Sequence, residues 1–176
     1  DLLGFGRRKI AVTPDEVRDF FTYQIGALRE FVGKNLQHVK AHGALFEMAM
    51  TDEALTKAMC EASGDLIWLS QPGSTARKYC KKVAEEFYAD RAIHPNKTLV
   101  SRQKPGAVIH DPKTIRQRLL QLFEAGTVTT IEGQTVSYDF DSICVHGDTA
   151  GALDIVRLIR TVCAECGIAI KPLAEL

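Results

Sequence analysis

The sequence predicts an α/β fold with a largely parallel sheet flanked by helices, and three observations carry that prediction. Short apolar runs alternate with amphipathic helical patterns along most of the 176 residues. Helix starts are marked by capping chemistry. Two apolar runs also end alike, VKAHGA at 39–44 and CVHGDT at 144–149, each with a His-Gly pair where a strand should pass into a loop and then a helix. Glycine at 43 and at 147 permits a sharp turn or a close backbone approach. Barrel-type α/β enzymes gather their chemistry at the C-terminal ends of strands, so both histidines are placed to face a cleft.

The elements follow in order. Thr13-Pro14-Asp15-Glu16 is a capping box with proline at the first helical position, and Val17, Phe20, Phe21, Ile25 and Leu28 continue a helix to about Gly33. Thr51-Asp52-Glu53 opens a shorter helix. Asp111-Pro112 opens another, carried by Ile115, Leu119, Leu122 and Phe123 and stopped at Gly126. Buried strands are predicted at 38–40, 66–69, 83–87, 143–146 and 168–170. The segments 127–131 and 135–138, joined by Glu132-Gly133-Gln134, read as a β-hairpin. Residues 90–105, with Pro95, Asn96 and Pro105, lack periodicity and are expected to form a functional loop or lid.

Composition bounds the function. The chain is 45% hydrophobic, ample for the core of one domain spanning 1–176, and 22 basic residues balance 22 acidic ones. Scattered, balanced charge gives no footprint for nucleic acid or an anionic membrane and suits a small neutral or zwitterionic substrate. No apolar run approaches the roughly 20 residues that span a bilayer, and no signal region opens the sequence, so a cytoplasmic protein is expected. The five cysteines are odd in number and are read as reduced, structural thiols; Cys163 and Cys166 form a C-x-x-C with no second pair to complete a zinc site.

Several residues can carry chemistry. Lys40 and His42 share one face at strand spacing, with Lys40 a base or a cation for a developing oxyanion; equally, Lys40 caps a strand in solvent and His42 is a loop residue. His146 and Asp148 flank Gly147 as an acid/base pair, a histidine oriented by a carboxylate, or a metal half-site, unless Asp148 or Thr149 is a plain N-cap. Asp90 and Arg91 follow the run ending at Ala89 at the same mouth, or form a surface ion pair. His110 is explained by the adjacent helix cap. Gly4-Phe5-Gly6-Arg7 resembles a phosphate loop only superficially, since no strand precedes it and no lysine-threonine follows.

Taken together, GFGRR (4–8), YQIGAL (23–28), VKAHGALF (39–46), YADRA (88–92), LVSRQKPGAVIHD (99–111) and CVHGDT (144–149) resemble the LamB/YcsF family, the A subunit of ATP-dependent 5-oxoprolinase. The resemblance implies a distorted β/α barrel of the glycoside hydrolase and deacetylase type. It implies opening of the lactam 5-oxo-L-proline to L-glutamate, with ATP as co-substrate and subunits B and C as partners; a homo-oligomer is left open. Carried over by motif, the candidate catalytic residues are Lys40, His42, Asp90, Arg91, His146 and Asp148, with Arg7 and His110 as second choices. The family pattern has proline where Ala41 stands, tyrosine where Phe46 stands and Tyr-Thr where Ile93-His94 stand. It also carries a segment ahead of GFGRR that this sequence does not show, so the chain is expected to be an N-terminally incomplete barrel. Two other functions remain beside the first. One is a metal-dependent deacetylase or other C–N hydrolase, with His42 and His146 among the ligands of a divalent ion. The other is a non-catalytic subunit that binds 5-oxoproline for its partners.

Overall fold

A threonine hydroxyl begins the first helix. Thr13 Oγ1 accepts from the Glu16 backbone N–H at 3.2 Å, and the Glu16 carboxylate accepts from the Thr13 N–H at 2.7 Å, closing the expected capping box on α1 (Pro14–Val32). The computed structural model describes residues 3–175, and its internal contacts divide the chain into two compact units. One runs through Ala84 and includes the residues from Leu173; the other covers Glu85–Pro172.

In the first unit α1 buries Val17, Phe21 and Ile25 and packs along α3 (Glu53–Ser63), with the Phe21 ring stacked on Trp68 at 5.7 Å. Strand β1 (His38–Val39) runs parallel to β2 (Ile67–Ser70), pairing His38 with Ile67 and Val39 with Trp68. Helix α2 (Ala44–Thr51) follows Gly43, and Asp52 both ends α2 and caps α3 by accepting from the Leu55 N–H at 3.0 Å. Every residue of β2 is buried, the apolar Ile67, Trp68 and Leu69 together with Ser70 at its end.

Not all five cysteines are thiols: Cys60 and Cys80 form a disulfide, and Cys144, Cys163 and Cys166 are free. Cys60 lies on the buried face of α3. A short 3-10 turn (Thr75–Lys78) brings the chain back so that the two Cα atoms stand 4.8 Å apart, within the range a disulfide spans. Cysteine parity carries no information about that loop closure.

In the second unit β3 (Val83–Tyr88), which starts at the boundary, pairs in parallel with β6 (Ser142–Cys144), placing Phe87 opposite Ile143 and Tyr88 opposite Cys144. Helix α4 (Pro112–Ala125) starts at Asp111, whose carboxylate accepts from the Lys113 and Thr114 N–H groups, and stops at Gly126, which takes a φ of 62°. The hairpin forms as β4 (Thr127–Thr129) and β5 (Thr135–Ser137). Helix α5 (Ala152–Glu165) completes a core built on Phe87, Ile115, Leu119, Leu122, Val128 and Val162.

One expectation fails here, and another, the irregular segment 90–105, is filled in. Residues 168–170 are not a strand: Gly167 has a φ of 68° and the Ile168 N–H reaches back to the Cys163 carbonyl at 2.8 Å, a helix-terminating Schellman turn. The apolar Ile168 packs on the core as the residue after that turn, and Ile170 is exposed, so apolar character alone misreads the segment. The region 90–105 is irregular but well packed. Isolated antiparallel bridges join Arg91 to Val108 and Ile93 to Leu99, while Ile93, Val100 and Ala107 are fully buried. No helix among the described residues is long and apolar enough to cross a membrane.

Candidate functional site

The register of β3 and β6 builds the best-formed polar cluster. Tyr88 stands opposite Cys144, the Ala89 N–H donates to the Cys144 carbonyl at 3.3 Å, and just past these paired strand ends Asp90 and His146 meet. His146 Nδ1 lies 3.1 Å from both carboxylate oxygens of Asp90. The His146 backbone N–H donates to Asp90 Oδ2 at 3.3 Å, and the Thr149 hydroxyl donates to the same oxygen at 2.8 Å. Asp90 has no exposed surface, whereas the His146 side chain keeps 19% of its own. Burial alone raises the Asp90 pKa, but the bonds from His146 and Thr149 outweigh it and hold the carboxyl below its ordinary value.

An ionised Asp90 can only accept, so Nδ1 of His146 carries the proton and Nε2 is left as the basic nitrogen. The imidazole is also stacked on the Tyr88 ring, with centroids 5.7 Å apart and planes 22° from parallel. Tyr88 in turn donates its hydroxyl to Glu86 Oε2 at 3.0 Å. A ring held on one edge by a carboxylate and on one face by a tyrosine is oriented for proton transfer at the remaining nitrogen.

Spacing along the sequence pairs His146 with Asp148, and the structure corrects this. Asp148 is exposed and lies 3.7 Å from Arg102, while Asp90, 56 positions away in the chain, orients the imidazole. Residues at spacing two share a face only while the strand continues, and β6 ends at Cys144. Neither Asp148 nor Thr149 caps α5, whose N-cap is Gly151. Gly147 takes no left-handed conformation and has open space where a Cβ would stand, so glycine is not demanded there.

Arg91 is no surface partner for Asp90. It is 5% exposed, and its guanidinium donates to the Val100 carbonyl at 2.6 Å and the Ala107 carbonyl at 3.4 Å, tying the 90–108 loop together. His110 is exposed beside the Asp111 cap, and His94 Nδ1 bonds Glu132 at 2.6 Å. Thr149 and Tyr88 are site residues that the sequence does not reveal. Only the β3–β6 register, which spacing along the chain does not encode, brings them to His146.

In the first unit Lys40 and His42 follow the end of β1, with His42 exposed and Lys40 half-buried. Lys40 Nζ lies 5.3 Å from the centre of the Phe46 ring. Lys40, His42 and Arg8 line a cavity of about 330 Å³ whose walls include Val12, Phe21 and Met48. Gly6 of the 4–8 segment serves this corner by backbone contact. The Gly6 carbonyl accepts from the Ala44 N–H at 2.7 Å, and a Cβ on Gly43, which has a φ of 61°, would stand 2.2 Å from the Gly6 oxygen. Among the described residues no group of three or more histidine, cysteine, aspartate or glutamate side chains is arranged to hold a metal ion.

Parallel strands whose C-terminal ends carry an oriented histidine define an α/β enzyme-like fold of the β/α-barrel type, and comparison with a solved structure agrees. The chain aligns with the lactam utilization protein of Thermus thermophilus with a TM-score of 0.87 and 32% identity, over 97% of this chain and 72% of that one. The LamB/YcsF family model matches residues 1–176, and the chain belongs to that family. It is 44% identical to the A subunit of 5-oxoprolinase from Thermococcus onnurineus, over 99% of this chain and 73% of the relative. It is 42% identical to the one from Campylobacter jejuni, over 91% and 67%.

Proposed function

We propose that this chain acts as the A subunit of an ATP-dependent 5-oxoprolinase, in which Asp90 and His146 supply the proton transfer that opens the lactam. The observation that carries this reading is the buried Asp90 carboxylate gripping His146 Nδ1 at the ends of β3 and β6. Relatives named as the A subunit of 5-oxoprolinase and a neighbour named lactam utilization protein support the substrate class.

A lactam carbonyl is a poor electrophile, so ATP is consumed to phosphorylate its oxygen, giving ADP and an imidate-like carbon. Water adds to that carbon while His146 Nε2 takes its proton. As the added hydroxyl becomes a carbonyl, the ring C–N bond breaks and the ring nitrogen takes the proton from His146, leaving γ-glutamyl phosphate; a second water hydrolyses this acyl phosphate to glutamate and inorganic phosphate. Asp90 holds the imidazole in one tautomer and stabilises its cationic form throughout.

The other candidates take narrower parts. Arg91 positions the loop that carries Asp90, and Asp148, paired with Arg102, lies two residues from the dyad histidine. Lys40 and His42 are separate candidates for binding an anionic oxygen, on the strength of the cavity they line with Arg8. The ATP-coupled reaction, subunits B and C and the cytoplasmic setting belong to this same proposal.

The test is reconstitution. Glutamate and inorganic phosphate release that depends on 5-oxo-L-proline should appear when the protein is combined with its B and C subunits. Absence of coupled release in every combination overturns the assignment.

A further inference from the structure

The buried face of α4 carries a charge that the dyad does not use. Arg118 is 8% exposed, between Ile115, Leu119 and Leu122, and has no carboxylate partner among the described residues. Its Nη1 donates to the Thr129 carbonyl at 3.3 Å and its Nη2 to the Arg91 carbonyl at 2.9 Å, while the guanidinium carbon stands 5.4 Å from the Phe87 ring centre. Its Nε–H is buried with no hydrogen-bond acceptor among the described residues. A buried cation is ordinarily paired, and an unmet donor on one is more costly than on a neutral group.

The same side chain lines a cavity of about 550 Å³. Around it stand Gln117, His110 and Thr130 on the polar side and Ile131 and Val108 on the apolar side. The one acidic neighbour, Asp111, has its carboxylate turned to the Lys113 and Thr114 N–H groups and the Thr114 hydroxyl at the start of α4. The field inside the cavity is therefore set mainly by the uncompensated guanidinium.

We propose that this cavity is a binding site for a small oxyanion, a carboxylate or a phosphate, which pairs with Arg118 and is distinct from the Asp90–His146 cluster. Burial lowers the Arg118 pKa to about 10, which still leaves the group a cation at neutral pH. The Arg91 carbonyl that Arg118 holds belongs to the residue next to Asp90, so an anion here bears on the loop behind the dyad.

The test titrates the protein with sodium phosphate and, separately, sodium acetate at constant ionic strength. It follows heat and the Arg118 Nε–H resonance by NMR. Saturable binding that shifts this resonance is expected for at least one anion; phosphate alone identifies a phosphate-type ligand, and acetate alone a carboxylate. Arg118→Met should weaken it by at least about tenfold. Gln117→Trp, which fills the cavity from the exposed side of α4 without touching the Arg118 bonds, should do the same and serves if the first variant fails to fold. Unchanged affinity in the folded variants, or no saturation by either anion up to about 50 mM, overturns the proposal.

Discussion

Replacing Asp90 by asparagine changes almost nothing in shape and reverses the chemistry at one edge of His146. The carboxylate accepts from three donors, the His146 ring N–H, the His146 backbone N–H and the Thr149 hydroxyl, and is wholly buried. Asparagine keeps one accepting oxygen, which the backbone N–H and the hydroxyl can still use. Its amide NH₂ then faces Nδ1, so the imidazole must accept there and carry its proton on Nε2. That tautomer cannot take a proton from water, and loss of a carboxylate in this position lowers turnover by about 10²- to 10⁴-fold. Each hydrogen bond to a charged group contributes about 1.5–3 kcal/mol. With most of the geometry retained, Asp90→Asn should cost about 1–3 kcal/mol of stability and leave the protein folded. The assay is 5-oxoproline-dependent glutamate release by the reconstituted complex, with urea unfolding of the isolated protein as the folding control. Turnover within about twofold of the parent would refute the role given to Asp90.

Three further outcomes rest on separate features. The Asp90 carboxyl titrates below its ordinary value of 3.8, so its contribution to stability is complete above that pH and is lost as the pH falls through the lower folded value; the difference in unfolding free energy between parent and Asp90→Asn should shrink in acid titrations as the pH falls below about 4. Gly43→Ala forces a Cβ to 2.2 Å from the Gly6 carbonyl at a φ of 61° and should destabilise by about 2 kcal/mol or more in chemical denaturation, whereas Gly147→Ala, at an open position, should be close to neutral. Reducing the Cys60–Cys80 disulfide, which closes a separation of 20 residues, should remove about 3 kcal/mol and lower the melting temperature, and Cys60→Ser should reproduce the loss and abolish the response to reductant.

Local chemistry made much of this fold readable. The Thr13 capping box and the Asp111-Pro112 start place α1 and α4 within a residue of their observed bounds, because caps are written in adjacent side chains. The hairpin around Gly133 is equally local, two runs joined by a tight turn, and the strand at 83–87 forms as expected although Glu85 and Glu86 interrupt its apolar residues and are buried with them. Failures have two sources, a local helix stop passed over and answers that depend on residues far apart. The Ile168–Ile170 run has strand composition but follows a glycine that terminates α5, and the Cys60–Cys80 link depends on how a 3-10 turn returns the chain to α3. The site shows the same division. His146 stands out because it closes the run 143–146 just past the end of β6, but its partner is decided by the pairing of β3 with β6, which makes Asp90 its neighbour and leaves the nearby Asp148 to Arg102.

The most direct test of the account is His146→Ala in the reconstituted complex, measured as glutamate and phosphate released per 5-oxo-L-proline consumed, with assembly checked by size-exclusion chromatography. The variant should assemble normally and lose about 10²-fold or more of its turnover. Near-normal turnover in an intact complex would contradict the proton-transfer role of the Asp90–His146 pair.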